Sequence, residues 1–149
     1  MFENACYNTI KIIKGGCMKG YHAEIEKLVE DNDSFRQVVY TGKNSQLVLM
    51  SLKPKEEIGM EVHEENDQFF RFESGVGKVL IDGNAYQVKD GDVIVVPQGA
   101  EHNVVNVSDS ESLKMYTIYS PAHHKDGTVH HTKAEAMADD EHFDGVTTE

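Results

Sequence analysis

The sequence predicts an all-β fold, a sandwich or barrel. Eight short runs of strand character follow one another between residues 35 and 119, turn pairs separate them, and helical patterning is confined to short stretches outside that region. At 149 residues the chain is one domain's worth. A domain of that size buries roughly 68–70% of its unfolded surface and needs no covalent staple.

The elements read as follows. Residues 21–30, YHAEIEKLVE, put Ile25, Leu28 and Val29 on one face of a short N-terminal helix that packs on the main body. Asp31-Asn32-Asp33-Ser34 ends it with turn chemistry. Strands are expected at 35–40, 46–52, 67–74, 77–81, 84–88, 92–96, 102–107 and 113–119. Thr41-Gly42, Lys53-Pro54, Ser74-Gly75, Asp82-Gly83, Asp90-Gly91 and Pro97-Gln98-Gly99 punctuate them, and Asp82-Gly83 between two alternating runs is a two-residue hairpin signal. Residues 121–149 form a C-terminal extension with five of the eight histidines. Lys133 to Ala138 reads as one or two helical turns, and the acidic tail from Asp139 is expected to fray.

A formal net charge of −12 argues against nucleic acid and anionic membrane as partners. The only arginines are Arg36 and Arg71, which leaves no evident clamp for a phosphate. Cys6 and Cys17 form neither a C-x-x-C pair nor a disulfide framework. The N-terminal residues lack the apolar run of a signal peptide, and LVLM (47–50) and VIVV (93–96) are too short to cross a bilayer. The expectation is a soluble, cytoplasmic protein. Lys14-Gly15-Gly16-Cys17 precedes Met18, and bacterial codons for Lys-Gly-Gly could read as a ribosome-binding sequence. Residues 1–17 are therefore either a mis-assigned start, with Met18 as the true one, or a short flexible arm.

The strongest chemical pattern is Gly91-x5-Pro97-x-Gly99-x2-His102-x3-Asn106. Asp90-Gly91 turns the chain into an apolar strand, Pro97 and Gly99 reverse it, and His102 opens the next strand with Val104 and Asn106 on its face. One imidazole is thereby aimed into the barrel mouth.

This pattern resembles the second motif of the cupin superfamily at all five positions. The first cupin motif, G-x5-H-x-H-x(3,4)-E-x6-G, is matched in altered form by Lys55, Glu61, His63, Gln68 and Gly75. The motifs cover residues 55–106, and flanking strands extend the resemblance to a barrel at about 46–120. It implies an antiparallel double-stranded β-helix, a jelly-roll barrel, of the small RmlC-like single-domain kind.

Cupins usually hold a divalent metal with three histidines and a glutamate. Here the resemblance implies a metal at Glu61, His63, Gln68 and His102, with the carboxylate moved to the first histidine position and an amide in its place. Gln68 is either a weaker fourth ligand or a residue that orients the others. Two imidazoles, one carboxylate and open positions suit Fe, Mn, Ni or Zn. The alternative is a metal-free pocket, with Glu61 part of a solvated acidic run and the histidines satisfied in the interior.

Parity puts Phe70, Phe72, Met115, Thr117 and Tyr119 inside, as the lining of a small-molecule pocket or as plain core, core being the simpler reading for Phe70 and Phe72. His123, His124, His130 and His131 either hang exposed or fold over the mouth to supply an acid or base. Adjacent histidines on an extended chain point opposite ways, so no more than one of each pair is expected at a site.

By resemblance, the function expected is a metal-dependent enzyme acting on a small organic or sugar-like molecule, mannose-6-phosphate isomerase-like or dioxygenase-like. The alternative is a non-catalytic binding or sensor module on the same barrel. Apolar residues on outer strand faces, among them Phe69 and the 92–96 run, predict a homodimer.

Overall fold

Period-two alternation of apolar side chains folds into two facing antiparallel sheets with the core between them. The computed structural model describes residues 19–149; both candidate start sites and the arm 1–17 lie outside the described residues. The strands are β1 (Arg36–Thr41), β2 (Gln46–Leu52), β3 (Glu61–Val62), β4 (Asp67–Ser74), β5 (Val76–Ile81), β6 (Asn84–Lys89), β7 (Val93–Val96), β8 (Glu101–Asn106), β9 (Leu113–Ser120) and β10 (Val129–His130). One sheet has the order β10-β1-β2-β9-β4-β7 and the other β3-β8-β5-β6. The architecture is a jelly roll whose two sheets do not join into a closed ring. All eight expected strands are present, and two two-residue strands, β3 and β10, join them.

The core is drawn from both sheets: Val48, Met50, Phe70, Phe72 and Met115 from the first, Val79, Val88 and Val104 from the second. The Asp82-Gly83 hairpin joins β5 and β6 with both residues at positive φ, 45° and 81°, as a twist-matched two-residue turn requires. Helix α1 (Ile25–Glu30) lies on β4 and β9 and buries Val29 completely. It starts at Ile25, four residues after the start of the expected 21–30 segment, and its N-cap Glu24 offers no side-chain hydrogen bond.

Two motif positions have plain steric reasons. A Cβ at Gly75 (φ 88°) would meet the Ser112 carbonyl oxygen at 2.4 Å, so β5 can leave β4 only through a glycine there. Lys55 stands where the resembled motif has its leading glycine and still adopts φ 65°. That left-handed backbone costs roughly 1–2 kcal/mol in an L-residue. Lys55 Nζ donates to the Val107 carbonyl at 2.8 Å and pairs with Asp109 at 3.0 Å, which hold the turn.

The extension corrects the sequence expectation. Helix α2 (Lys133–Ala138) forms where expected, capped by the Thr132 hydroxyl, which accepts from Glu135 N. The tail beyond it does not fray. Phe143 N donates to His123 O at 2.9 Å, Thr148 N donates to Thr41 O at 2.9 Å, and the Tyr40 hydroxyl donates to the Glu149 carboxylate. Acidic residues that read as solvated find histidines and backbone donors on the body, so the tail straps the open end of the first sheet.

Candidate metal centre

β3 and β8 run side by side with Glu61 directly opposite His102. The chain enters β3 through a loop held by Asn103, whose side chain accepts from Gly59 N at 2.9 Å and donates to Glu57 at 2.7 Å. His63 follows β3, and its carbonyl accepts from Gly99 N at 2.9 Å. Gln98 N donates to Asp67 Oδ1 at 2.9 Å and Gln98 Nε2 to the Glu64 carbonyl at 2.6 Å. The Pro97–Gly99 reversal is thus stitched to the 63–67 loop, and two motifs distant in sequence present their histidines to one point.

At that point the Glu61 Oε1 lies 3.2 Å from His63 Nε2 and 3.6 Å from His102 Nε2. The ligand atoms of Glu61, His63 and His102 all fall within 4.8 Å of one another, the one such group among the described residues. His63 and His102 are buried, and the Glu61 side chain keeps 29% of its exposure, so the carboxylate marks the side open to solvent. Gln68, fully buried on β4, approaches with its Oε1 3.1 Å from His102 Nε2 and donates to Thr117 Oγ1 at 3.0 Å. The four residues named from the sequence are therefore brought together.

The electrostatics are those of a carboxylate paired with imidazoles. Burial pushes the Glu61 carboxyl up, but hydrogen bonds to His102 and His63, and their charge, outweigh it and hold it well below the usual carboxylate range. Burial works to lower His102, yet the Glu61 and Ala100 carbonyl hydrogen bonds win and raise it. His102 Nδ1 donates to Ala100 O at 3.0 Å, which leaves Nε2 for whatever sits against Glu61. Chemistry and convergence of the donors fit a divalent ion: one anion, two imidazoles, one of them oriented by the Ala100 carbonyl, and an amide oxygen alongside.

The five lining candidates are all buried, and Phe70, Phe72, Met115 and Tyr119 belong to the hydrophobic core cluster. Thr117 spends its hydroxyl on Gln68.

Of the two alternatives for the extension histidines, the structure takes folding over the site for His123 and His124. His123 packs on His63 with ring centroids 4.4 Å apart and stacks on Tyr119 at 5.2 Å. Its burial, with the charges of His124 and His63, pushes it down to about 4. His124 is buried beside it, its Nε2 3.3 Å from the Tyr119 hydroxyl and its Nδ1 2.6 Å from Glu141. Burial lowers His124 against the pull of that carboxylate. Burial opposes ionisation of Glu141, but hydrogen bonds from His124 and Lys125 N bring it down to about 2. Both members of the 123–124 pair thus pack around Tyr119, because the chain leaves the extended form after Pro121. His130 is also buried, its Nε2 2.9 Å from Asp139, while His131 stays exposed, its Nδ1 3.1 Å from Ser34 Oγ. Arg36 belongs to the same surroundings. It lies opposite buried Met50 and His130, and its charge reaches Tyr119, His123, His124 and Glu141.

These shifts have a sign. His123 and His124 are harder to protonate in the fold than in the unfolded chain, where they take up protons below about pH 6.5. Their contribution falls as pH drops through that value, toward about 4 for His123. His102, raised in the fold, contributes below pH 6.5 and loses that as pH rises through its folded value. Two groups against one predict a lower melting temperature at pH 5 than at pH 7 in metal-free protein, with a shallower slope in His123→Phe. A melting temperature rising steadily toward pH 5 would contradict this.

The comparisons agree with the geometry. The family model described as a cupin domain matches residues 48–119. The chain is 44% identical over 126 residues to the Bacillus subtilis (strain 168) protein YrkC, covering 80% of this chain and 67% of that one. The crystal structure of BH2720 from Bacillus halodurans is 39% identical with a TM-score of 0.79, over 81% of this chain and 96% of that one. An RmlC-like cupin from Shewanella frigidimarina shares the fold alone, at 22% identity and a TM-score of 0.54, over 58% and 75% of the two chains. With its second motif complete, its jelly roll and its converging histidines, the chain belongs to the cupin superfamily.

Proposed function

We propose that the protein is a metal-dependent enzyme acting on a small organic molecule that reaches the ion from the Glu61 side. The observation that carries this reading is the convergence of Glu61, His63 and His102 ligand atoms within 4.8 Å, with the carboxylate on the solvent side. A divalent ion there would supply Lewis-acid or O2 chemistry through its open positions. His63 and His102 would hold it, Glu61 would neutralise half of its charge, and Gln68 would orient His102. Tyr119 and His123 would close the interior side and exclude water.

Elemental analysis of protein purified without added metal tests the proposal. One equivalent of iron or manganese supports an oxygenase, and zinc an isomerase or hydrolase. Less than a tenth of an equivalent, with none taken up on reconstitution, overturns it.

Association is part of the proposal. Val93 and Val95 on edge strand β7 are 51% and 61% exposed, and the register continues that face through Phe69 and Ile118. An apolar face of this kind is covered in a homodimer. Light scattering at micromolar concentration should give about twice the 16.7 kDa chain mass; a monomer mass overturns the expectation.

A further inference from the structure

We propose that His123 is an additional ligand of the metal centre, delivered by the C-terminal extension, so that three imidazoles and the Glu61 carboxylate hold the ion. This rests on the metal reading above and goes beyond it, since His123 lies outside both cupin motifs and beyond the matched residues 48–119.

The argument is one of donors and acceptors. The Asn66 side chain donates from Nδ2 to the Pro121 carbonyl at 2.6 Å and to the Ala122 carbonyl at 3.3 Å. A flipped amide would set oxygen against oxygen, so the orientation is fixed by its surroundings. Its Oδ1, 3.2 Å from His123 Nδ1, can only accept, and Nδ1 must carry the proton. A neutral imidazole has one such proton, so Nε2 keeps its lone pair. No described residue hydrogen-bonds to that Nε2. The ring is half-buried, edge-on to His63 at 4.4 Å, and its backbone is tied on both sides: N donates to Gln46 Oε1 at 3.1 Å and O accepts from Phe143 N at 2.9 Å.

An outer hydrogen bond that fixes the tautomer and leaves the other nitrogen bare is how proteins prepare a metal-binding histidine. The other extension histidines differ. His124 spends both nitrogens, on Glu141 and Tyr119. His130 has an unpartnered Nδ1, but its Nε2 lies 2.9 Å from Asp139 and it is not among the converging ligand atoms. Packing alone does not call for an imidazole at 123, because a phenyl ring would fill the same place. His123 is not among the ligand atoms that fall within 4.8 Å of one another, but its ring packs directly on that of His63, a member of that group.

Copper(II) is the probe. One equivalent is added to metal-free protein, and pulsed electron paramagnetic resonance counts the bound imidazoles. The expected count is three in the wild type and two in His123→Gln and His123→Phe. Zinc affinity, read by competition with a chelating dye, should fall about 10- to 100-fold in both variants, the loss typical of disturbed metal shells. His123→Phe keeps the ring packing, and its far-UV spectrum checks the fold. A wild-type count of two, or an unchanged count and affinity in both variants, overturns the role of His123 and leaves the metal reading standing. No stoichiometric binding of either ion by the wild type overturns both.

Discussion

Glu61→Gln should strip the centre of most of its metal affinity and leave the fold intact. Glu61 is the one anion among the converging ligands, and its Oε1 lies 3.2 and 3.6 Å from the two Nε2 atoms. The substitution keeps an oxygen in place and removes only charge. A unit charge pair at 4 Å is worth about 4 kcal/mol at an effective dielectric of 20, and the ion is doubly charged. A loss of at least about 100-fold, equivalent to about 2.7 kcal/mol, is the modest end of that range. Gln68→Ala removes only a neutral group and should cost less. Glu61→His should be better tolerated than Glu61→Gln, because it restores the residue usual at that motif position. Metal retention should run from wild type, through Gln68→Ala and Glu61→His, to Glu61→Gln, with His63→Ala and His102→Ala lowest. Metal content after gel filtration against a weak chelator reads the order. Full retention in Glu61→Gln with loss in Gln68→Ala would show that the amide, not the carboxylate, is the principal ligand.

Asn106→Ala should cost stability rather than metal. Asn106 closes the second motif and is fully buried at the end of β8. Its Nδ2 donates to the carbonyls of Leu52, Lys53 and Glu111 at 3.0, 3.0 and 2.8 Å, and its Oδ1 accepts from Ser108 N at 3.0 Å. One amide thus ties the end of β2 and the loop into β9 to the end of β8. Alanine leaves the buried Leu52 carbonyl and three part-buried backbone groups unpaired, at up to about 1–3 kcal/mol each before relaxation and water entry. A net loss of roughly 2–4 kcal/mol is expected, large for a single substitution. Asn106→Asp should be no better, because a carboxylate cannot donate and would face three carbonyls. Urea denaturation measures both; a cost below about 0.5 kcal/mol for Asn106→Ala, the level of an ordinary surface substitution, would show that water replaces the amide without penalty.

The sequence by itself determined the strands, the hairpin at Asp82-Gly83, the helix at 133–138 and the meeting of His63 with His102. Alternation, turn residues and capping act over two to four positions, and the cupin motif spacing carries the long-range pairing that local pattern lacks. The surroundings of the centre were decided only by the tertiary structure. His124 meets Glu141 across 17 residues, Gln46 holds the His124 backbone across 78, and Asn66 orients His123 across 57. Such bonds leave no periodicity in the chain, since each joins a single polar side chain to a partner in another element. An acidic tail and paired histidines look alike in sequence whether solvated or buried. Which state holds depends on whether their donors and acceptors find each other once the sheets have formed: His124 and Glu141 do, beside Tyr119, while His131 stays exposed.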